Sequence, residues 1–280
     1  MSHLMKNYGR LPVSFDHGQG VWLWDKEGHK YLDALAGIAV NSVGHAHPRL
    51  VRAIADQASK LIHCSNYFNI DLQEQVAEKL VEHSGLEAVF FCNSGLEANE
   101  CAIKIARKFG HAKGIEVPNI IVLKHAFHGR SIATLSATGN PSVRADFSPY
   151  TEGFIFVDES DLDGIRKIVE ENKNVVAIFF EPILGEGGVV PIDLSVIKGI
   201  REICDEHDLL MMCDEVQCGM GRSGKWFAHQ WAEIKPDVIT MAKGLAGGVP
   251  VGAVIVSEKA NIFKPGNHGS TFGGNPLAMR

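Results

Sequence analysis

Seven strand-length apolar runs, at residues 88–92, 119–123, 153–157, 175–180, 209–213, 237–241 and 251–256, set the terms on which this chain folds. Most are nearly continuous in Val, Ile, Phe and Leu with no polar alternation, the pattern of strands covered on both faces. Helix-period segments lie between them. Over residues 71–83, Leu72, Val76, Ala77, Leu80 and Val81 share one helical face, and over 161–171 so do Leu162, Ile165, Ile168 and Val169. Residues 194–207 repeat the pattern with Ile197, Ile200, Ile203 and Cys204. This alternation predicts an α/β fold with a mixed, mostly parallel seven-stranded sheet flanked by helices. The last link is the exception. Residues 242–250 are too few for a parallel crossover, which needs about a dozen or more, so 251–256 is predicted to run antiparallel.

The N-terminal stretch differs. Residues 20–25 and 30–33 flank the turn Lys26-Glu27-Gly28-His29, a hairpin signal, and a helix over 48–62 starts with Pro48. Residues 1–62 are therefore expected to form part of a small domain and 63–280 the large domain. Gly273-Gly274-Asn275-Pro276 opens a last helix at the chain's end, so a truncated version of a longer protein, lacking the rest of a C-terminal small domain, is the expectation.

Composition excludes several classes. At 45% hydrophobic and 21% charged, the chain has globular usage. Its 27 basic and 33 acidic residues give −6 with no basic run, which argues against nucleic acid or an anionic membrane as partner. No apolar segment reaches the ~20 residues that span a bilayer, and no signal peptide opens the chain. The six cysteines (Cys64, Cys92, Cys101, Cys204, Cys213, Cys218) form no C-x-x-C pair, which points to reduced, buried thiols and a cytoplasmic location.

Ligands in open α/β sheets sit outside the carboxyl ends of the strands. There, 175–180 ends in Glu181-Pro182, 209–213 in Asp214-Glu215-Val216-Gln217, and 237–241 in Ala242-Lys243-Gly244. A lysine beside a buried strand is expensive to keep charged, so its pKa is expected to fall, which suits Schiff-base chemistry. An aspartate in the same crevice suits a protonated heterocyclic nitrogen, as pyridoxal phosphate requires. The plainer alternatives are a lysine snorkelling to a strand-end surface and an aspartate capping a turn. Ser94-Gly95-Leu96-Glu97 follows a strand and opens a helix over 95–109; Ser94 with Glu97 is a capping-box pattern, and the Gly95 and Leu96 amides are placed to bind a phosphate. In Phe127-His128-Gly129-Arg130, Phe127 suits stacking on a flat cofactor and Arg130 a bidentate carboxylate clamp, against the plainer pair of a core aromatic and a surface arginine.

Two other patterns are weaker. Gly219-Met220-Gly221-Arg222-Ser223-Gly224 spells G-x-G-x-x-G, but polar residues separate it from its strand and Lys225-Trp226-Phe227 opens no clean helix. His45/His47 and His125/His128 lack metal-ligand spacing, so no metal is expected.

Asn93–Glu100, Phe127–Arg130, Glu181–Gly188, Asp214–Gln217, Met241–Gly244 and Gly269–Asn275, in that order, resemble the class-III, fold-type-I pyridoxal-phosphate aminotransferases. The resemblance runs from about Tyr8 to the end. It implies that Lys243 anchors the cofactor and shuttles the proton, while Asp214 pairs with the ring nitrogen. Glu215, Val216 and Gln217 would lie about the ring, with Phe127 on its opposite face. Gly95 and Leu96 would hold the phosphate, helped by Thr271 from the other subunit of a homodimer whose active site lies at the interface. Arg130 and Ser270 would meet substrate, and Glu186 would neutralise a second arginine that family chains carry beyond Arg280. Leu96 stands where many members have a small or hydroxylated residue, and Leu184 replaces a common glutamine. Tyr8–Val13 and Asp33–Val40 look most like members that transaminate N2-acetylornithine with 2-oxoglutarate in arginine biosynthesis. Other ω-amino donors (ornithine, succinylornithine, 4-aminobutyrate, succinyldiaminopimelate), a nicotinamide-dependent oxidoreductase using Gly219–Gly224, and a catalytically silent fragment are the alternatives.

Overall fold

All seven apolar runs pair into one sheet. The computed structural model describes residues 3–280, so the first two residues of the expected 1–62 segment lie outside the described residues. It opens with an antiparallel meander of β1 (Phe15–Gln19), β2 (Trp22–Asp25) and β3 (Lys30–Leu32). The expected hairpin is β2–β3, and its turn is closed by Asp25 Oδ1, which accepts the Glu27 and His29 amides. β1 has no sequence signature, because Phe-Asp-His-Gly-Gln neither alternates nor runs apolar. Next comes α1 (Ala36–Ala39), a single turn in which all four residues hold positive φ. α2 (Pro48–Ala58) stops short of the expected 62. There the Ser59 hydroxyl donates to the Asp56 carbonyl (2.8 Å) and Gln57 Nε2 to the Leu61 carbonyl (2.8 Å), local bonds that compete with further helix.

The large sheet follows. Its elements are α3 (Asp71–Ser84), β4 (Ala88–Cys92), α4 (Gly95–Ala112), β5 (Asn119–Leu123), α5 (Ile132–Ala137), α6 (Pro141–Arg144), β6 (Phe154–Val157), α7 (Leu162–Glu171) and β7 (Val175–Phe180). A two-stranded ribbon of β8 (Ile183–Leu184) and β9 (Val190–Pro191) interrupts, and α8 (Leu194–Glu206), β10 (Leu210–Asp214), β11 (Val238–Met241), β12 (Gly252–Val256) and α9 (Pro276–Met279) complete the chain. The strand order is β4-β12-β11-β10-β7-β5-β6. Every pair is parallel except the two made by β12, which runs antiparallel to both β11 and β4. The antiparallel expectation for this strand therefore holds. The strands expected from 153, 209, 237 and 251 each begin one residue later; at the second, the Leu209 amide is spent on the Cys204 carbonyl at the end of α8 (2.9 Å).

Helices cover both faces. On one, Ala98, Ala102, Ile105 and Ala106 of α4 pack against Val122, Phe179, Met212 and Val254. On the other, Ile165 of α7 and Ile197, Ile200 and Ile203 of α8 meet Ile121, Ile178, Phe180 and Met211. All six residues of β7 are buried, as a central strand requires, and each large apolar side chain there contributes roughly 1.5–3 kcal/mol. The six cysteines are free, five of them buried. Among the described residues no helix is long and apolar enough to cross a membrane.

Candidate active site

A cavity of about 450 Å³ opens where the carboxyl ends of β5, β7, β10 and β11 meet the N-terminus of α4. Glu181, Asp214 and Lys243, each at a strand end, all line it.

Asp214, the last residue of β10, is 2% exposed. Its Oδ2 accepts Asn99 Nδ2 (2.7 Å) and His128 Nδ1 (2.8 Å), and its Oδ1 accepts the Val216 amide (3.0 Å). Asn99 comes from α4 and also donates to the His128 carbonyl (2.8 Å). His128 is fully buried and stacked on Phe179, with ring centroids 4.1 Å apart. Three donors thus fix the carboxylate and leave acceptor capacity on Oδ1. His128 Nε2 and Asn99 Oδ1 are buried without a partner.

Lys243 is half-buried in the turn after β11 and holds φ +44, a left-handed conformation rare for a side-chain-bearing residue. Among the described residues none pairs with its ammonium group. Its amine is therefore available in the cavity.

At the third wall, Ser94 Oγ accepts the Glu97 amide (3.2 Å) as the cap of α4. The reciprocal half of the expected capping box is displaced by one residue: Glu97 reaches the Asn93 amide (2.7 Å) and Asn93 Nδ2 (3.0 Å), not the Ser94 amide. The Gly95 and Leu96 amides, first in the helix, have no intrahelical acceptor and line the cavity. A Cβ on Gly95 would stand 2.6 Å from Val216 Cγ1, so glycine is what lets Val216 lie against this helix end.

Phe127 and Arg130 line the opposite side, with the Arg130 guanidinium 5.7 Å from the Phe127 ring centroid. Glu186, Val216 and Gln217 complete the predicted residues that the fold brings together, joined by Val40 and residues 248–251.

Three predicted residues lie elsewhere. Glu215, expected at the cofactor, does not line the cavity: successive residues of extended chain point to opposite faces, and its buried carboxylate accepts the Ala228 and His229 amides (both 2.8 Å) and faces the His229 ring (2.9 Å). Ser270 lies just outside, its hydroxyl accepting Asn93 Nδ2 (3.1 Å) and the Gly273 amide (3.0 Å). Thr271 is exposed. Asn99 and His128, given no role from the sequence, line the site, as does Glu181, which its strand end had pointed to. The Gly219–Gly224 stretch is a series of turns that opens no α-helix; only a short 3-10 turn, Ala228–Ala232, follows. His125 points to Glu159 and His45 to Asp33, neither toward the cavity. The single group of acidic and histidine side chains close enough to share an ion among the described residues, Asp25, Glu27 and His29, is the β2–β3 turn, where Asp25 is occupied by hydrogen bonds.

The whole chain has known relatives. A family model described as aminotransferase class-III matches residues 4–280. The acetylornithine aminotransferase of Nitrosomonas europaea is 56% identical, over 100% of this chain and 72% of its own length. That of Aquifex aeolicus is 48% identical, over 100% of this chain and 74% of its own. Among solved structures, the ornithine aminotransferase of Toxoplasma gondii superposes with a TM-score of 0.94 at 36% identity, covering 99% of this chain and 66% of that one. The N-acetylornithine aminotransferase of Stenotrophomonas maltophilia gives 0.82 at 39% identity, covering 97% and 67%.

Proposed function

The chain belongs to the class-III aminotransferases, and from that premise we propose that it transfers the terminal amino group of N2-acetylornithine to 2-oxoglutarate, giving N-acetylglutamate 5-semialdehyde and glutamate in arginine biosynthesis. The family's cofactor is pyridoxal phosphate. The cavity's donor set suits it: one amine without a partner, one buried carboxylate with acceptor capacity to spare, and two free amides at a helix N-terminus. When bound, the cofactor supplies an aldehyde that takes up amino groups and a ring that withdraws electrons.

The chain's own residues do the rest. Asp214 holds the ring nitrogen protonated, aimed by Asn99, His128 and the Val216 amide. Gly95 and Leu96 donate to the phosphate without a basic side chain. Phe127 and Val216 bracket the ring, and Gln217 meets its phenolic oxygen. Lys243 anchors the cofactor, then takes the proton from the amino-bearing carbon of the substrate and returns it on the other side of the transfer. Arg130, exposed and free of any carboxylate partner in the cavity, receives a substrate carboxylate, with Ser270 nearby and Glu186 balancing charge.

The active unit in this proposal is a cytoplasmic homodimer with Thr271 reaching the partner's phosphate. Support comes from Phe272, Tyr67 and Phe68, at 61%, 96% and 70% exposed, on segments that Asn66 ties together through the Ser270 and Gly273 carbonyls.

The observation that carries the substrate is the agreement of relatives at 46–56% identity that bear the acetylornithine name. Initial rates with N-acetylornithine and with unacetylated ornithine test it. A clear preference for ornithine would transfer the proposal to the other donor, which the 36%-identical Toxoplasma structure also keeps in view.

Arg130→Ala is expected to raise the KM for 2-oxoglutarate by roughly 10- to 100-fold, the scale of a lost charge-assisted pair. The visible spectrum of the bound cofactor should be unchanged. An unaltered KM would remove Arg130 from substrate binding.

A further inference from the structure

Glu181 follows β7 directly and is 4% exposed in the cavity wall. Its two oxygens serve two different segments: Oε1 accepts the Phe127 amide (2.8 Å) and Oε2 the Gly185 amide (3.1 Å). Phe127 forms one side of the cavity. Gly185 carries Gln217 on its surface so closely that a Cβ there would stand 2.2 Å from Gln217 Oε1. One carboxylate therefore fixes the backbone behind the aromatic wall and the backbone on which Gln217 rests.

We propose that Glu181 is a positioning residue that ties Phe127 and the Gly185–Gln217 contact together across the cofactor pocket, and that it holds them more firmly ionised than protonated. This rests on the cofactor reading above. The charged groups facing it are Asp214 from β10 and His128 from the loop after β5. Burial and the Asp214 charge push Glu181 up to about 7, against the opposing pull of His128 and the two amides. Below that pH it carries a proton, and above it the carboxylate is bare. An ionised acceptor makes stronger bonds to both amides. That strengthening tightens the site as pH rises through the titration of Glu181.

The test is pyridoxal phosphate binding to the purified, cofactor-stripped chain, followed by visible absorption at pH values on both sides of that titration. Relative to Glu181→Gln, wild type should gain about fivefold in affinity across it, the difference between neutral and charge-assisted hydrogen bonding. Infrared difference spectra should show a protonated buried carboxyl at the acid end in wild type and none in the variant. Parallel pH dependences in the two proteins, or no carboxyl signal assignable to Glu181, would overturn the proposal. Should Glu181→Gln not fold, Glu181→Asp keeps the titrating group one methylene short. It should bind more weakly at every pH yet retain the pH-dependent shift, and unchanged affinity would count against us. Failure of the underlying cofactor reading looks different: wild type itself would take up no pyridoxal phosphate, and borohydride would leave no adduct on Lys243.

Discussion

Lys243→Ala is expected to lower transamination by at least about 10⁴-fold, combining the loss of a general base with the loss of the covalent anchor. The fold offers no substitute. Arg130 is the other cation lining the cavity, and a guanidinium cannot give up its proton at working pH. The backbone at Lys243 is already held at φ +44 to place the amine where it stands, so a surface lysine elsewhere cannot be borrowed by a small adjustment. Steady-state rates measure the first loss. Borohydride reduction followed by peptide mass mapping measures the second: wild type should carry the adduct on Lys243 and the variant on nothing. Retention of nicotinamide-cofactor binding with no pyridoxal phosphate uptake in either protein would instead favour an oxidoreductase, a reading to which the turns of Gly219–Gly224 lend no helix N-terminus.

The second large effect is expected at Asp214→Asn. The carboxylate accepts from three donors, Asn99, His128 and the Val216 amide. An asparagine amide group must turn its own N–H pair toward one or other end of that arrangement. At least one buried donor then faces another donor, costing about 1–3 kcal/mol of stability. The loss of negative charge at the ring nitrogen should cost a further 10²–10³-fold in kcat, roughly the scale of removing one preorganised electrostatic partner. Thermal unfolding and kcat, measured on the same preparation, separate the two. A variant with wild-type kcat would show that Asp214 is a fold residue and no more.

The sheet was legible because its strands are covered on both faces, and burial on two sides writes an unbroken apolar run into the sequence. β1 was not, since it is an exposed edge whose pairing is fixed by its neighbour β2 and by no pattern of its own. The same contrast holds in the site. Asp214 and Lys243 stand at strand ends, where position alone suggests chemistry. Asn99 and His128 reach Asp214 from a helix and a loop, at separations of 115 and 86 residues, which carry no spacing signal. His128 looked like half of a pair with His125, yet the two leave the loop in opposite directions, one to Asp214 and one to surface Glu159. Adjacency does not tell neighbours apart: Asp214 faces the cavity, and the alternation of extended chain sends the Glu215 side chain to the other side.

The antiparallel strand β12 has a consequence for how the chain is made. β4 sits at the sheet's edge and hydrogen-bonds only to β12, with Cys92 opposite Gly252, about 160 residues further along. On a ribosome adding ~5–20 residues per second, β4 waits on the order of ten seconds or more for its partner to emerge. Its apolar residues, which lead into the helix start where the phosphate amides lie, lack their strand partner through that interval, although α4 itself can already pack on β5, β7 and β10. Nascent chains stalled before residue 252 should therefore be held by chaperones and bind no cofactor, however complete the rest of the sheet.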